Sequence, residues 1–324
     1  MQKVSYMQGV RLFFSIDLVG STDLKNREDP ILNDKKNFIK WPLIYQRFFS
    51  EVAESFMTKS RDLINNNCED KSGCEVRIWK TNGDEILFYT SNIYPGEKAS
   101  LLCNCFCDVI ENYDKEYYQQ DGLGVKGTIW SAGFPIRNKQ IIIDPQNQPY
   151  FRVFDLNSGN FSSLMLGNSA FTDFLGPEID LGFRLAAKAV PRRVIISLDV
   201  AVIIAHSKLD ENNRVRFFHV GWETLKGVYG NVPYPIILID ILEEKKLPNP
   251  RSTFEAANKD LYSKFLNLAG LLSRKDIINL NTMHYNDTKK YRLERPYLSP
   301  EEMQTQKHLK EWDDFVKNQM EGEQ

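Results

Sequence analysis

The stretch Val10-Arg11-Leu12-Phe13-Phe14-Ser15-Ile16-Asp17-Leu18-Val19-Gly20-Ser21-Thr22 constrains the fold more than any other. Val10, Leu12, Phe14 and Ile16 alternate, and Phe13 adds a second apolar face, the pattern of a strand buried on both sides. The strand ends on Asp17 and runs into Gly20, which permits a tight turn, with Ser21 or Thr22 placed to cap the next element. A carboxylate at the end of an apolar strand is costly to bury unless something pairs with it, and a metal ion is one such partner.

A second segment, Val76-Arg77-Ile78-Trp79-Lys80-Thr81-Asn82-Gly83-Asp84-Glu85-Ile86-Leu87-Phe88-Tyr89, has β-prone runs on either side of Asn82-Gly83. Asn-Gly is the strongest short-range hairpin signal, because both central residues of a type I′ turn need positive φ. If this hairpin pairs beside the first strand, Asp17 and Asp84 meet at one end of the sheet, and two carboxylates there suit Mg²⁺ or Mn²⁺ rather than a soft metal. Spacing alone equally allows one Asp in a helix cap and one in a turn, unrelated in space.

Downstream, Asp23 to Lys40 is polar and reads as a loop or frayed segment. Trp41-Pro42 then opens a helix in which Trp41, Ile44, Tyr45, Phe48, Phe49, Val52 and Phe56 follow a three-to-four spacing. In that stripe Tyr45 either packs in the core or faces a ligand. Glu97 to Tyr118 reads as a second helix, Gly122-Leu123-Gly124 ends it, and Val125 to Gly133 is the next strand. The order β, α, β-hairpin, α, β begins a ferredoxin-like core of the α+β class. Phe134 to Phe171 reads as an excursion with β-prone runs at Gln140–Ile143 and Tyr150–Phe154. Pro177 opens a further helix that places Asp180 and Arg184 four apart on one face, where the plain expectation is a surface ion pair. Val194–Leu198, Val215–Val220 and Pro235–Ile241 come next as strands. After the linker Leu247-Pro248-Asn249-Pro250, the spacing predicts helices over Ser252–Leu272 and Glu301–Met320.

Of the 324 residues 26% are charged, but the net charge is only −2, which gives no argument for nucleic-acid or anionic-membrane binding. No uncharged apolar run is long enough to span a bilayer and no signal peptide opens the chain, so a cytoplasmic location is the expectation. The odd cysteine count, with Cys103, Cys105 and Cys107 at alternate positions of a helix, predicts free thiols rather than a disulfide framework or zinc site.

Asp17-Leu18-Val19-Gly20-Ser21-Thr22 resembles the first metal-binding segment of the class III nucleotide cyclases, and Lys80-Thr81-Asn82-Gly83-Asp84 resembles their hairpin with the second metal-binding Asp. Thr172 to Ala189 resembles their segment with a base-contacting residue, a glycine, and a helix bearing Asn and, four later, Arg; the matching residues are Asp173, Asp180 and Arg184. Asp180 departs from the usual Asn. The resemblance covers roughly the first three-quarters of the chain. It implies a class III cyclase catalytic domain over residues 1–245, a mostly antiparallel sheet flanked by helices, with an insertion at about 134–171 and a helical C-terminal extension over 246–324.

For the site the resemblance implies two Mn²⁺ or Mg²⁺ ions held by Asp17, Asp84 and the Leu18 carbonyl, with phosphate cradled by the turn at Gly20, Ser21 and Thr22. Lys80 and Asp173 would read the base, Asp180 would orient the ribose, Arg184 would stabilise the transition state, and Lys226 of Leu225-Lys226-Gly227 would lie near the triphosphate. Protomers of a homodimer would share each site. The chain looks most like the Pycsar antiphage pyrimidine cyclases, which make cyclic UMP or cyclic CMP as a signal to a separate effector protein. Bulky Trp79 and Tyr45 near the expected base pocket would shorten it, which favours a pyrimidine; the order UTP first and CTP next is implied by the resemblance alone. Two alternatives are an adenylate or guanylate cyclase of the same fold and a non-catalytic nucleotide- or protein-binding module. The Gly-Gly-Asp/Glu-Glu-Phe signature of cyclic-dinucleotide synthases is absent.

Overall fold

A computed structural model describes residues 9–28, 40–68, 75–90, 96–134, 138–144, 152–155, 171–206, 216–228, 230, 233–241 and 254–255. The first strand is β1 (Gly9–Val19), followed by α1 (Ser21–Arg27), α2 (Trp41–Asn67), the hairpin β2 (Val76–Asn82) and β3 (Glu85–Thr90), α3 (Gly96–Asp121) and β4 (Gly124–Phe134). These strands stand in the order β4-β1-β3-β2, and every pair among them is antiparallel, the arrangement of a ferredoxin-like core. The sheet continues past β4 through β8 (Arg193–Ile196), β10 (Pro233–Asp240), β9 (Arg216–Thr224) and the short β11 (Phe254–Glu255), giving eight strands. Among the described strands only the β4–β8 pair is parallel. The excursion forms a second sheet, with β5 (Lys139–Asp144) between β6 (Arg152–Asp155) and β7 (Phe171–Leu175).

The alternation within β1 sorts the molecule into two cores. Leu12, Phe14, Ile16 and Leu18 join the larger one, which contains Phe48, Val52 and Phe56 of α2 and Leu102, Phe106 and Ile110 of α3. Phe13 points to the opposite face, into a smaller core with Leu87, Trp130, Phe134, Phe174 and Ile179. That second face is covered by α4 (Pro177–Ala186) and by β7 of the small sheet. Each fully buried aliphatic or aromatic side chain contributes about 1.5–3 kcal/mol relative to exposure, so both faces of β1 contribute to folding.

Four sequence expectations are corrected by the structure. Residues 23–27 of the segment read as polar belong to a helix, α1, which starts at Ser21 and is entered from Gly20 at φ 87°. The strand expected over Val194–Leu198 stops at Ile196, and α5 (Leu198–His206) begins at Leu198, where the Val200 N–H donates to Ser197 Oγ. This helix escapes a periodicity test because its run Val200-Ala201-Val202-Ile203-Ile204-Ala205 is apolar without interruption. Phe254–Glu255, inside an expected helix, pairs with β9 at His219 and Phe218. The remainder of the C-terminal extension, Cys74 and Tyr150 lie outside the described residues. Lastly, Asp180 and Arg184 make no ion pair with each other; Arg184 Nε donates to the Lys226 carbonyl oxygen at 3.0 Å.

For the alternate-position cysteines of α3 the expectation agrees with the structure: Cys103, Cys105 and Cys107 are free thiols, and all three are buried. Among the described residues no helix is long and apolar enough to cross a membrane.

Candidate active site

Asp17 lies on the β1 face opposite α2 and α3, in register with Glu85 of β3 and Lys126 of β4. Lys126 Nζ stands 3.0 Å from Asp17 Oδ2. Asp84 reaches the same end of the sheet because Gly83, at φ 67°, closes the β2–β3 turn. The Leu18 N–H donates to the Asp84 carbonyl at 3.1 Å, which pins the turn to the end of β1. The Ser21 hydroxyl donates to Asp84 Oδ2, and the Ser15 hydroxyl donates to Glu85 Oε1. The glycine turn at Gly20 therefore serves a visible purpose, since it brings Ser21 at the start of α1 back onto the hairpin Asp.

Burial pushes the Asp17 carboxyl above its ordinary range; Lys126 opposes that shift and the nearby Asp84 charge adds to it. Glu85 is raised for the same first reason, with Ser15 and Asn82 opposing and the Asp17 charge adding. The cluster thus gathers two partly buried carboxylates whose charged forms burial disfavours. Its donors are hard oxygens, which fits Mg²⁺ or Mn²⁺. Among the described residues no three His, Cys, Asp or Glu side chains converge into a metal cage. Two carboxylates completed by substrate oxygens is the usual way Mg²⁺ is held, so the residues present fit such an ion.

A second constellation lies on the same face. Lys80 Nζ is 3.0 Å from Asp173 Oδ1, and Trp79 Nε1 donates to that same oxygen at 2.9 Å. Asp173 is on β7, where it pairs with Ile141 of β5, so the small sheet is what carries it to the hairpin. The Lys80 ammonium lies 4.3 Å from the Trp79 ring centroid and 5.9 Å from that of Phe183.

α4 supplies the third group. Pro177 at its start fixes the first turn, and the buried Glu178 accepts from the Gly133 N–H and from Asn138 Nδ2, both at 2.7 Å. The Asn138 Oδ1 in turn accepts the Glu178 N–H at 3.2 Å. Gly182 faces the fully buried Trp130 ring so closely that no side chain fits between them. Asp180 and Arg184 are exposed on this anchored helix, and Arg184 reaches across to the Lys226 backbone.

Tyr45 does not join Trp79 around one pocket. It is buried in the larger core beside Trp41 and Phe49, whereas Trp79 packs in the core on the other side of the sheet. The helical stripe containing Tyr45 signals this packing. Sequence reasoning missed Glu85 and Lys126, which become visible only when β3 and β4 are placed in register with Asp17. It also missed the Trp79 hydrogen bond, which depends on an irregularity in β2 that no alternation pattern reveals.

No protein-family model and no curated protein matches the chain. In overall fold it is similar to several solved cyclases. The adenylyl cyclase CyaB from P. aeruginosa shares 12% identity at a TM-score of 0.47, over 75% of this chain and 98% of that one. The guanylyl cyclase Cya2 shares 14% identity at a TM-score of 0.42, over 74% of this chain and 96% of that one. The catalytic core of a rhodopsin-guanylyl cyclase with converted specificity, solved with ATPalphaS, shares 12% identity at a TM-score of 0.45, over 72% and 96%.

Proposed function

We propose that the chain is a nucleotide cyclase that converts a nucleoside triphosphate into its 3′,5′-cyclic monophosphate and pyrophosphate. The observation that carries this reading is the juxtaposition of Asp17 and Asp84, joined through the Leu18–Asp84 backbone bond and the Ser21 hydroxyl at one end of the sheet. In the reaction the ribose 3′-oxygen bonds to the α-phosphorus, its proton passes to water, and the bond from the α-phosphorus to the bridging oxygen breaks to release pyrophosphate. Divalent ions at Asp17 and Asp84, with the Leu18 carbonyl, would lower the pKa of the 3′-hydroxyl and offset the charge of the leaving pyrophosphate. Lys126 holds the Asp17 carboxylate in place and supplies positive charge beside it. The turn at Gly20, Ser21 and Thr22 binds the phosphates, and Lys226 lies beside Arg184, the residue that stabilises charge on the pentavalent phosphorus. Asp180 accepts from the ribose.

Lys80 and Asp173 read the base as donor and acceptor. Each site is shared in a homodimer, with Asp17 and Asp84 from one protomer and Lys80, Asp173 and Arg184 from its partner. The finer reading is a pyrimidine triphosphate, UTP before CTP, with the product acting as a signal to a separate effector. The Trp79 indole standing against Lys80 supports a short base pocket. Adenine offers the same acceptor and donor edge as cytosine, so ATP is the second reading.

Incubating the protein with Mn²⁺ and an equal mixture of ATP, GTP, CTP and UTP, followed by mass analysis, tests both levels. Cyclic UMP or cyclic CMP is expected. Cyclic AMP or cyclic GMP would retain the reaction and discard the pyrimidine assignment, and the absence of any cyclic product would overturn the reading.

A further inference from the structure

Strand β2 does not alternate regularly. Ile78 pairs with Phe88, but Lys80 pairs with Leu87, so Trp79 is an extra residue opposite a single step of β3. Such a bulge turns two consecutive side chains toward one face. Phe88 belongs to the helix-covered core and Leu87 to the other core. Trp79 and Lys80 therefore both face the second core, whereas unbroken alternation would send Lys80 to the opposite side of the sheet.

Both residues then meet one atom. Asp173 Oδ1 accepts from Trp79 Nε1 at 2.9 Å, from Lys80 Nζ at 3.0 Å and from the Phe174 backbone N–H at 2.9 Å. Three donors occupy that oxygen, and Oδ2 accepts no hydrogen bond from the described residues. The indole itself is held edge-on by Phe13 and Phe174, at centroid distances of 5.5 and 5.2 Å, with Phe183 at 5.8 Å.

Taking the nucleotide-binding reading above as given, we propose that Trp79 is a positioning residue for base selection. Its N–H and the bulge that aims it fix the Asp173 carboxylate so that Oδ2 alone, beside the Lys80 ammonium, meets the base. Lys80 spends one of its three N–H donors on Asp173 and keeps two. The base thus meets one acceptor and one donor in a set order and at a set depth. A carboxylate free to rotate accepts from bases of either ring size, whereas a fixed one favours the base whose donor falls at Oδ2 while its acceptor falls at Lys80. Charge-assisted bonds of this kind are the strong ones, and removing a partner loosens the geometry that the others define.

The test compares the wild type with Trp79→Phe, which keeps an aromatic ring and loses the N–H. Steady-state kinetics and calorimetric titration with ATP, GTP, CTP and UTP are both measured. For Trp79→Phe the KM of the preferred triphosphate rises about ten-fold, kcat stays within about three-fold, and the preference over the next triphosphate falls about ten-fold. Unchanged KM and preference would overturn the proposal, because a ring that only packs is preserved in phenylalanine; a fall in kcat alone would overturn it too.

Asp173→Asn provides a second readout should Trp79→Phe fail to fold. The amide oxygen can still accept from Trp79, while the group facing the base changes from acceptor to donor. Base preference is expected to be lost or reversed, and an unchanged preference would overturn the proposal. A wild type that binds a triphosphate without turning it over would defeat the cyclase reading, while the dissociation constants would still decide the role of Trp79. Binding of none of the four would overturn both.

Discussion

Gly182→Ala is the substitution whose effect the structure defines most sharply. Ordinary contact for a Cβ is 3.4–4 Å, and a Cβ at Gly182 would come well inside 3.0 Å of three ring atoms of Trp130, namely Cε2, Cδ2 and Nε1. Trp130 has no room to yield: it is fully buried and stacks on Phe13 at 5.4 Å with an interplanar angle of 15°. The helix must therefore withdraw by about 1 Å to restore normal packing. Overpacking of this kind costs about 1–3 kcal/mol, and the better helix propensity of Ala returns at most about 1 kcal/mol. The expected net loss, with the full propensity gain returned, is up to about 2 kcal/mol in urea unfolding followed by circular dichroism. Because α4 also carries Asp180 and Arg184, a shift of that size should lower kcat on the order of 100-fold if these residues touch the substrate. A Gly182→Ala protein as stable and as active as the wild type would refute the close approach of α4 to the sheet.

Other parts of the molecule give further expected outcomes. Glu178→Ala orphans the Gly133 N–H and removes one of the two acceptors of the Asn138 amide, and is expected to cost about 1–3 kcal/mol in the same unfolding measurement; no loss would contradict the anchoring of α4 through this carboxylate. Burial raises the Cys103, Cys105 and Cys107 thiols, Cys105 to about 12, so they stay protonated in the folded protein at pH values where the unfolded chain ionises them. Their contribution is whole below pH about 8.5 and is lost above it, by about 1.4 kcal/mol per pH unit per thiol until the folded value is reached. Stability that does not fall between about pH 9 and 11 would refute their burial. A thiol reagent at about pH 8 should leave all three unmodified until the protein unfolds.

How far the sequence alone leads depends on whether local patterns agree with the tertiary fold. The alternation in Val10–Ile16 and the Asn82-Gly83 turn identify β1 and the hairpin, and the glycine pair near 122–124 separates α3 from β4. The two β-prone runs of the excursion are β5 and β6, paired as a hairpin. Positions that depend on register are not legible. Lys126 reads as an ordinary strand lysine until β4 is laid against β1, which sets it beside Asp17. The bulge at Trp79 breaks the very alternation on which a strand reading relies, and it is what brings Lys80 to Asp173. Tyr45 is ambiguous for the opposite reason. A stripe of aromatic residues on a helix marks the buried face whether or not a ligand is near, and here Tyr45 is buried in the larger core beside Trp41 and Phe49. In α5 the run from Val200 to Ala205 is apolar without interruption, so it carries no periodic signal to mark its turns.

The central claim is that Asp17 and Asp84 serve one reaction, and the most direct measurement is paired quantitation of cyclic nucleotide and pyrophosphate from the wild type and from Asp17→Asn. The wild type with Mn²⁺ is expected to release the two products one for one. Asp17→Asn, which keeps the shape of the side chain and removes its charge, is expected to release neither while unfolding in the same two-state transition. A wild type that releases pyrophosphate without a cyclic product, or an Asp17→Asn protein as active as the wild type, would contradict the account.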